Sequence, residues 1–242
     1  MIAWLPPTPV AFPGVESALA EPDGLLALGG DLTPEWLLAA YRRGIFPWFS
    51  EDQPILWWSP NPRMVLFPEA LRVRRSLAKR LRNSGLTTTF NRAFDRVIHQ
   101  CGARRAGREG TWISPRMERA YSRMHALGYA QSVEVWERET LVGGLYGLMI
   151  GRVFFGESMF SARPDASKIA LVQLVREFAP RQDIALIDCQ VHTAHLESMG
   201  AQEIPRRRFI RLLTALAGDE APPESPPAAD GASTDADRTL SG

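Results

Sequence analysis

The chain has 242 residues and a mass of 26.9 kDa, enough for one large domain or two small ones at about 100–200 residues per domain. With 45% apolar residues, 23% charged residues and 7 tryptophans it falls in the globular range, and its 2 cysteines, Cys101 and Cys189, are too few for a disulfide framework or a multi-cysteine zinc site. The formal net charge of +1 conceals one basic segment: residues 63–119 hold fourteen of the 28 lysines and arginines against four acids, +10, whereas residues 1–62 and 219–242 each come to −5.

The N-terminus, MIAWLPPTPVAFPG, has prolines and no basic stretch where a secretory signal needs a basic and then an apolar run. The longest uncharged central stretch, Thr140 to Gly151, is too short to span a bilayer, so a cytoplasmic protein is expected. Residues 1–62 mix proline, glycine and tryptophan with short apolar pieces. Thr33 caps a helix with Pro34 in its first position, and this helix stops near Gly44. The aromatic stretches 45–49 and 55–58 follow, and Pro60 and Pro62 mark a domain hinge. Aromatic residues beside prolines pack a core, and in irregular segments they also stack bases.

From Leu71 to Arg82, cations recur three and four residues apart with Leu77 and Leu81 one turn apart, the pattern of a basic amphipathic helix. A solvated face is the plain reading. Acids are nearly absent, however, so i,i+4 pairs cannot neutralise that face, and a polyanion partner stands beside the plain reading. Asn91 to Cys101 and Pro115 to Leu127 are expected helices. Ser132 to Trp136, Leu141 to Ile150 and Arg152 to Phe160 are expected strands, the last two joined by a tight turn at Gly151. Ala166 to Phe178 reads as a helix capped by Asp165, Ile184 to Ile187 as a short buried strand, and Arg207 to Leu213 as a final strand. Residues 219–242 have no apolar period and read as disordered.

A strand meander, a crossover helix and a further strand make an α+β fold with the element order of acyl-CoA N-acyltransferase domains. Three divisions are expected: a small aromatic and glycine-rich α/β domain at 1–62, the acyltransferase-like domain at 63–218, and the tail. Strand alternation puts Phe155, Glu157 and Met159 on one face and Phe154, Gly156, Ser158 and Phe160 on the other. Asp188 and Gln190 then share a face at the end of an apolar strand, where site residues often sit, and Cys189 takes the other. His192 and His195 are read as capping or core residues, and no metal is expected. Neither a phosphate loop nor a dinucleotide fingerprint occurs, and Ser161 to Lys168, where acetyltransferases carry a glycine-rich CoA turn, lacks the glycines. No cofactor is expected.

The blocks EPDGLLALGGDL (21–32), AYRRGIFPWF (40–49), PILWWSPNPR (54–63), GTWI (110–113), SVEVW (132–136), LVGGLYG (141–147), FFGESMFS (154–161), DASK (165–168), DCQ (188–190) and GAQEIPR (200–206) resemble the leucyl/phenylalanyl-tRNA–protein transferase family. The resemblance spans most of residues 12–209. It implies transfer of Leu or Phe, and Met less well, from aminoacyl-tRNA to an N-terminal Arg or Lys of a protein, marking that protein for degradation. It also implies site residues. Asp188 orients Gln190, which holds the attacking amine, and Glu157 contacts the cationic acceptor or supports the pair. Tyr41, Trp48, Trp112 and Tyr121 surround the terminal adenosine, and Phe154, Met159 and Leu174 surround the aminoacyl side chain. Arg72, Arg74, Arg75, Lys79, Arg80 and Arg82 would then hold the acceptor stem of Leu-tRNA or Phe-tRNA by its phosphates. A monomer is expected. Two rival readings remain, a CoA-dependent N-acetyltransferase indifferent to RNA and an inactive RNA-binding module that binds tRNA whether or not it is charged.

Overall fold

The structure, a computed structural model, describes residues 2–106 and 113–218, so Trp112 and the 219–242 tail lie outside the described residues. In chain order the elements are β1 (Ala3–Leu5), β2 (Leu25–Gly29), α1 (Pro34–Tyr41), β3 (Phe46–Pro47), β4 (Leu56–Trp58), β5 (Arg63–Leu66), α2 (Arg75–Asn83), β6 (Thr87–Phe90), α3 (Phe94–Ala106) and α4 (Pro115–Ala126). They continue with β7 (Ala130–Glu137), β8 (Thr140–Ile150), β9 (Val153–Ser161), α5 (Ala166–Gln173), a π-turn at Leu174–Phe178, α6 (Ala179–Arg181), β10 (Leu186–Gln190), α7 (Ala194–Ser198), β11 (Gln202–Ile204) and α8 (Arg206–Ala217).

Local chemistry sets the helix starts. Thr33 Oγ1 accepts from Trp36 N at the head of α1, and Ser114 Oγ accepts from Met117 N at the head of α4, each with proline in the first turn. Two of the expectations need correction. Asp165 sits at the head of α5 in the left-handed region, φ 63°, and its side chain makes no capping bond; it pairs instead with Lys168 at 2.7 Å and Arg80 at 3.1 Å. The expected strand at 207–213 is part of α8. Phe209, Leu213 and Ala217 are its buried positions, four residues apart, and Pro205 contributes the first acceptor carbonyl to Phe209 N.

Two sheets form. One, in the order β1-β2-β4-β3, comes wholly from residues 3–58 and packs against Trp36 and Trp57, stacked on each other, with Phe12 edge to face against both. The other runs β11-β5-β10-β9-β8-β7-β6, antiparallel throughout except for β9 and β10. That parallel pair is joined by the crossover through α5. Helices α3, α4 and α8 cover one face, which shares a continuous core with the small sheet and α1; α5 and α2 cover the other. The Pro60–Pro62 junction is tied down rather than free, since Asn61 Oδ1 accepts from Arg206 N at 2.9 Å and Ser59 O accepts from the Arg206 guanidinium.

Two irregularities decide where the chain can do chemistry. Between β8 and β9 the pairing passes from Gly147–Gly156 to Tyr146–Ser158, leaving Glu157 as an extra residue. This bulge reverses the faces beyond it: Phe154 and Met159 both join the α5 side, and Phe155 and Phe160 the other, so the alternation expected across Glu157 fails for Met159 and Phe160. Gly147 lies opposite the bulge, where a Cβ would collide with the Phe155 carbonyl oxygen. The second irregularity lies in β10 between Asp188 and Gln190. There β10 departs from β9, after only Leu186, Ile187 and Asp188 have paired.

Because Phe209 is fully buried and closes the core under β5, Phe209→Ala should destabilise the fold by about 3–5 kcal/mol in denaturant unfolding. A loss below about 1 kcal/mol would mean that α8 does not belong to that core.

Candidate active site

Where β9 and β10 part, four side chains meet. Glu157 accepts from the Tyr41 hydroxyl at 2.6 Å and from Gln190 Nε2 at 2.9 Å on one oxygen, and from the Tyr121 hydroxyl at 2.9 Å on the other. The two phenol oxygens are also in hydrogen-bond contact, and since each phenol has one hydrogen, a bond between them replaces one of the two to Glu157. Burial raises the Glu157 carboxyl to about 7, against the opposing pull of the Tyr41 and Tyr121 donors; the Asp188 charge raises it further and the Gln190 bond lowers it. Burial and the Glu157 charge hold both phenols well above the ordinary tyrosine value, so they remain donors.

Behind this group lies a buried ion pair. Arg63 Nε donates to Asp188 Oδ1 at 2.8 Å and Nη2 to Oδ2 at 2.6 Å, a two-pronged contact in which neither residue is more than 1% exposed. The guanidinium lies between the rings of Phe46 and Phe209 and donates through Nη1 to Gly44 O at 3.1 Å. Asp188 Oδ1 also accepts from Gln190 N at 2.9 Å. That bond holds Gln190 at φ 63°, a strained backbone for a residue other than glycine, with its carboxamide on Glu157. Asp188 therefore orients Gln190 through the backbone.

A cavity of about 320 Å³ runs past Glu157 and Gln190. One end is apolar, walled by Leu145, Phe154, Met159, Leu171, Leu174 and Ile187, which belong to or pack against the core on the α5 side. At the other end stand Phe46, Pro47 and Trp48 from the N-terminal segment. Trp48 is 43% exposed and tilts against Trp58, whose indole donates to the Trp48 carbonyl oxygen.

Of the side chains named from sequence, Trp48, Phe154, Glu157, Met159, Leu174 and Gln190 line this cavity. Tyr41 and Tyr121 do not; both are fully buried behind Glu157, which places them as its supports rather than around a ligand. Asp188 is likewise behind the wall, and Trp112 is outside the described residues. Cys189 lines the cavity with its thiol pushed well up by burial and the Asp188 charge, the state of an inert thiol. His192 pairs with Glu197, whereas His195, expected as a cap or core residue, lines the cavity. Sequence reasoning passed over Arg63, although it closes the quoted block PILWWSPNPR. It also passed over Leu145, Leu171 and Ile187, whose apolar character signals burial without signalling a cavity.

The six cations of the basic segment are all exposed. Arg75, Lys79, Arg80 and Arg82 lie on α2, and Arg72 and Arg74 on the extended stretch before it, since the helix starts at Arg75 rather than Leu71. Among the described residues only Arg80 of the six has a carboxylate partner, Asp165.

The chain matches the family model described as leucyl/phenylalanyl-tRNA protein transferase over residues 65–214, and that of the same enzyme's N-terminal domain over residues 30–61. A relative named leucyl/phenylalanyl-tRNA–protein transferase in Chromohalobacter salexigens is 63% identical over 88% of this chain and 83% of its own length. A second relative of that name in Azoarcus is 58% identical over 92% and 94%. This chain belongs to the leucyl/phenylalanyl-tRNA–protein transferase family. Among solved structures, L-PGS from Bacillus licheniformis superposes with a TM-score of 0.42 at 12% identity over 81% of this chain and 74% of that one, a likeness too loose to argue from.

As a member of the leucyl/phenylalanyl-tRNA–protein transferase family the chain is an aminoacyltransferase, moving an aminoacyl group from tRNA to a protein. The site suits a reaction at an already activated ester: a polar group able to hold and deprotonate an amine lies beside an apolar receptacle. Among the described residues no three His, Cys, Asp or Glu side chains are grouped to hold a metal ion, and no helix is long and apolar enough to cross a membrane.

The raised Glu157 value has a consequence for stability. Folded protein keeps this proton up to about pH 7, whereas the unfolded chain releases it near 4.5, so the stabilisation present below pH 4.5 is lost as pH rises through 7. The loss from this group should approach about 3 kcal/mol, and Glu157→Gln should abolish that slope in urea unfolding measured from pH 4.5 to 8.

Proposed function

We propose that the enzyme transfers Leu, Phe and, less efficiently, Met from aminoacyl-tRNA to the N-terminal Arg or Lys of proteins by direct aminolysis, marking the product for degradation. The observation that carries this reading is the union of the apolar chamber and the Glu157–Gln190 pair in one cavity. A chamber walled by Phe154, Met159 and Leu174 suits an apolar side chain, and the pair beside it suits an amine and its proton.

The acceptor's α-amine nitrogen attacks the ester carbonyl carbon. A C–N bond forms, the bond from carbonyl carbon to ribose oxygen breaks, and the departing oxygen ends with the proton the amine has lost. Gln190 holds the amine, oriented by Asp188. Glu157, at about 7, is matched to accept that proton in passing and, when ionised, to draw in a cationic acceptor. An α-amine value of about 7.7–8 leaves a useful fraction unprotonated at neutral pH, so no stronger base is required. Trp48, exposed at the mouth, offers a stacking surface to the terminal adenosine. Arg72, Arg74, Arg75, Lys79, Arg80 and Arg82 hold acceptor-stem phosphates without reading sequence. Residues 1–62 act as the module that brings Trp48 to the transfer domain at 63–218, in a monomer working in the cytoplasm.

Labelled Leu on its tRNA should pass to a peptide beginning with Arg and not to the same peptide beginning with Ala, while acetyl-CoA should label neither. Labelling from acetyl-CoA, or none from charged tRNA, would overturn the reading. The rate should rise with pH from about 7 as Glu157 and then the acceptor's α-amine lose their protons, and Glu157→Gln should leave only the limb set by the amine, at about 7.7–8. Reversing Arg75 and Arg80 to Glu should weaken tRNA binding and flatten log K against log salt by about 2, the equivalent of two phosphate contacts; an unchanged slope would return α2 to plain solvated surface.

A further inference from the structure

Gly156 stands in β9 between Phe155 and Glu157, at the edge of the bulge, where neither a left-handed φ nor a steric clash requires a glycine. Its φ lies outside the left-handed region, and a Cβ built on it would meet only the Asp188 carbonyl oxygen, at an ordinary 3.4 Å. The other glycines of this sheet differ. At Gly143 a Cβ would strike Ala166, at Gly144 the Val133 carbonyl oxygen, and at Gly147 the Phe155 carbonyl oxygen. A glycine inside a strand costs stability, and one that neither a left-handed φ nor a clash enforces marks a bulge or a place where something else comes close; here the open cavity lies on its side-chain face.

The empty volume has a definite location. Gly156 lines the cavity, and strand alternation before the bulge puts its missing side chain on the α5 side with Phe154. The bulge at Glu157 brings Met159 to that side as well, so Gly156 is a gap between two large apolar walls, with Leu171 and Leu174 also lining the chamber. Like Ser158, it lines the cavity next in chain to Glu157. A side chain here would narrow the chamber beside Phe154 and Met159.

We propose that Gly156 is a specificity-determining residue: its absent side chain keeps the aminoacyl chamber wide enough beside Phe154 and Met159 for a branched or ringed apolar side chain. This rests on the aminoacyl-tRNA reading above. Donor girth, rather than hydrophobicity, is then what this position senses, because a pocket's apolar character alone discriminates weakly between apolar side chains.

The test uses the full chain with Gly156→Ala and the larger probe Gly156→Ser. A methyl fits the fold, so the thermal midpoint of Gly156→Ala should match or exceed that of the parent. Affinity for uncharged tRNA should stay within twofold, while kcat/KM for Phe and Leu donors falls at least tenfold and that for the slender Met donor falls less. A non-reacting probe, adenosine carrying phenylalanine in amide linkage at its 3′ position, should bind at least tenfold more weakly, with adenosine monophosphate unaffected. Transfer and probe binding within twofold of the parent in both variants would overturn the proposal. So would equal losses for all three donors accompanied by a lowered thermal midpoint, the signature of a damaged sheet. If the parent itself transfers none of the three, the donor reading fails instead, and probe binding still decides the role of Gly156.

Discussion

The Arg63–Asp188 pair is the interaction on which the site's geometry depends. Taking both charges out of water costs several kcal/mol each, and the two-pronged contact, the Gly44 carbonyl and the Gln190 amide together offset that cost. Such a pair contributes less to net stability than to uniqueness of placement, because removing either partner strands the other. Here the placement joins distant parts of the chain. Arg63 opens β5, Gly44 leads into the segment carrying Trp48, Phe209 belongs to α8, and Asp188 sets the bulge that carries Gln190. The two walls of the cavity, Trp48 on one side and Gln190 on the other, therefore share one fixed point.

A regular sheet would have no cavity at all. Strands hydrogen-bonded along their full length leave no gap, and their side chains alternate without exception. The extra residue at Glu157 and the departure of β10 after Asp188 break that regularity on neighbouring strands, opening a passage lined by backbone irregularity and walled by ordinary core side chains. Glu157 is then buried in a protein interior that opposes its charge, and three donors from three elements hold it where its proton can leave near neutral pH. Opposing influences of burial and hydrogen bonding, neither sufficient alone, place it in the range useful for handling an amine's proton.

Charge is unevenly divided along the chain. The cations before and along α2 are exposed and, Arg80 apart, unopposed by carboxylates among the described residues, as a phosphate backbone would require. Net negative charge sits in the N-terminal segment and the tail, at −5 each.

Much of this was legible from the sequence because it is encoded locally. The Thr33–Pro34 and Ser114–Pro115 helix starts, the β8–β9 hairpin about Gly151 and the apolar crossover helix depend on propensity, capping and period within a few residues. Resemblance carried the family and the cavity-lining Trp48, Phe154, Met159 and Leu174, whereas strand pattern had already marked Glu157 and Gln190. The helix at 206–217 was mistaken for a strand although its Phe209, Leu213 and Ala217 recur every four residues; the short apolar run from Phe209 to Leu213 satisfies either period when read alone. Only the tertiary structure decided the rest. Whether Met159 faces with Phe155 or Phe154 turns on one extra residue in the cross-strand register, which no local pattern announces. That Tyr41 and Tyr121 support Glu157 rather than line the cavity, and that Asp188 answers to Arg63, depends on partners 116, 36 and 125 residues apart. Composition and period determine which residues are buried; which buried polar group meets which is fixed only when the sheets close on each other, because each must find its hydrogen-bond partner in a space that water has left.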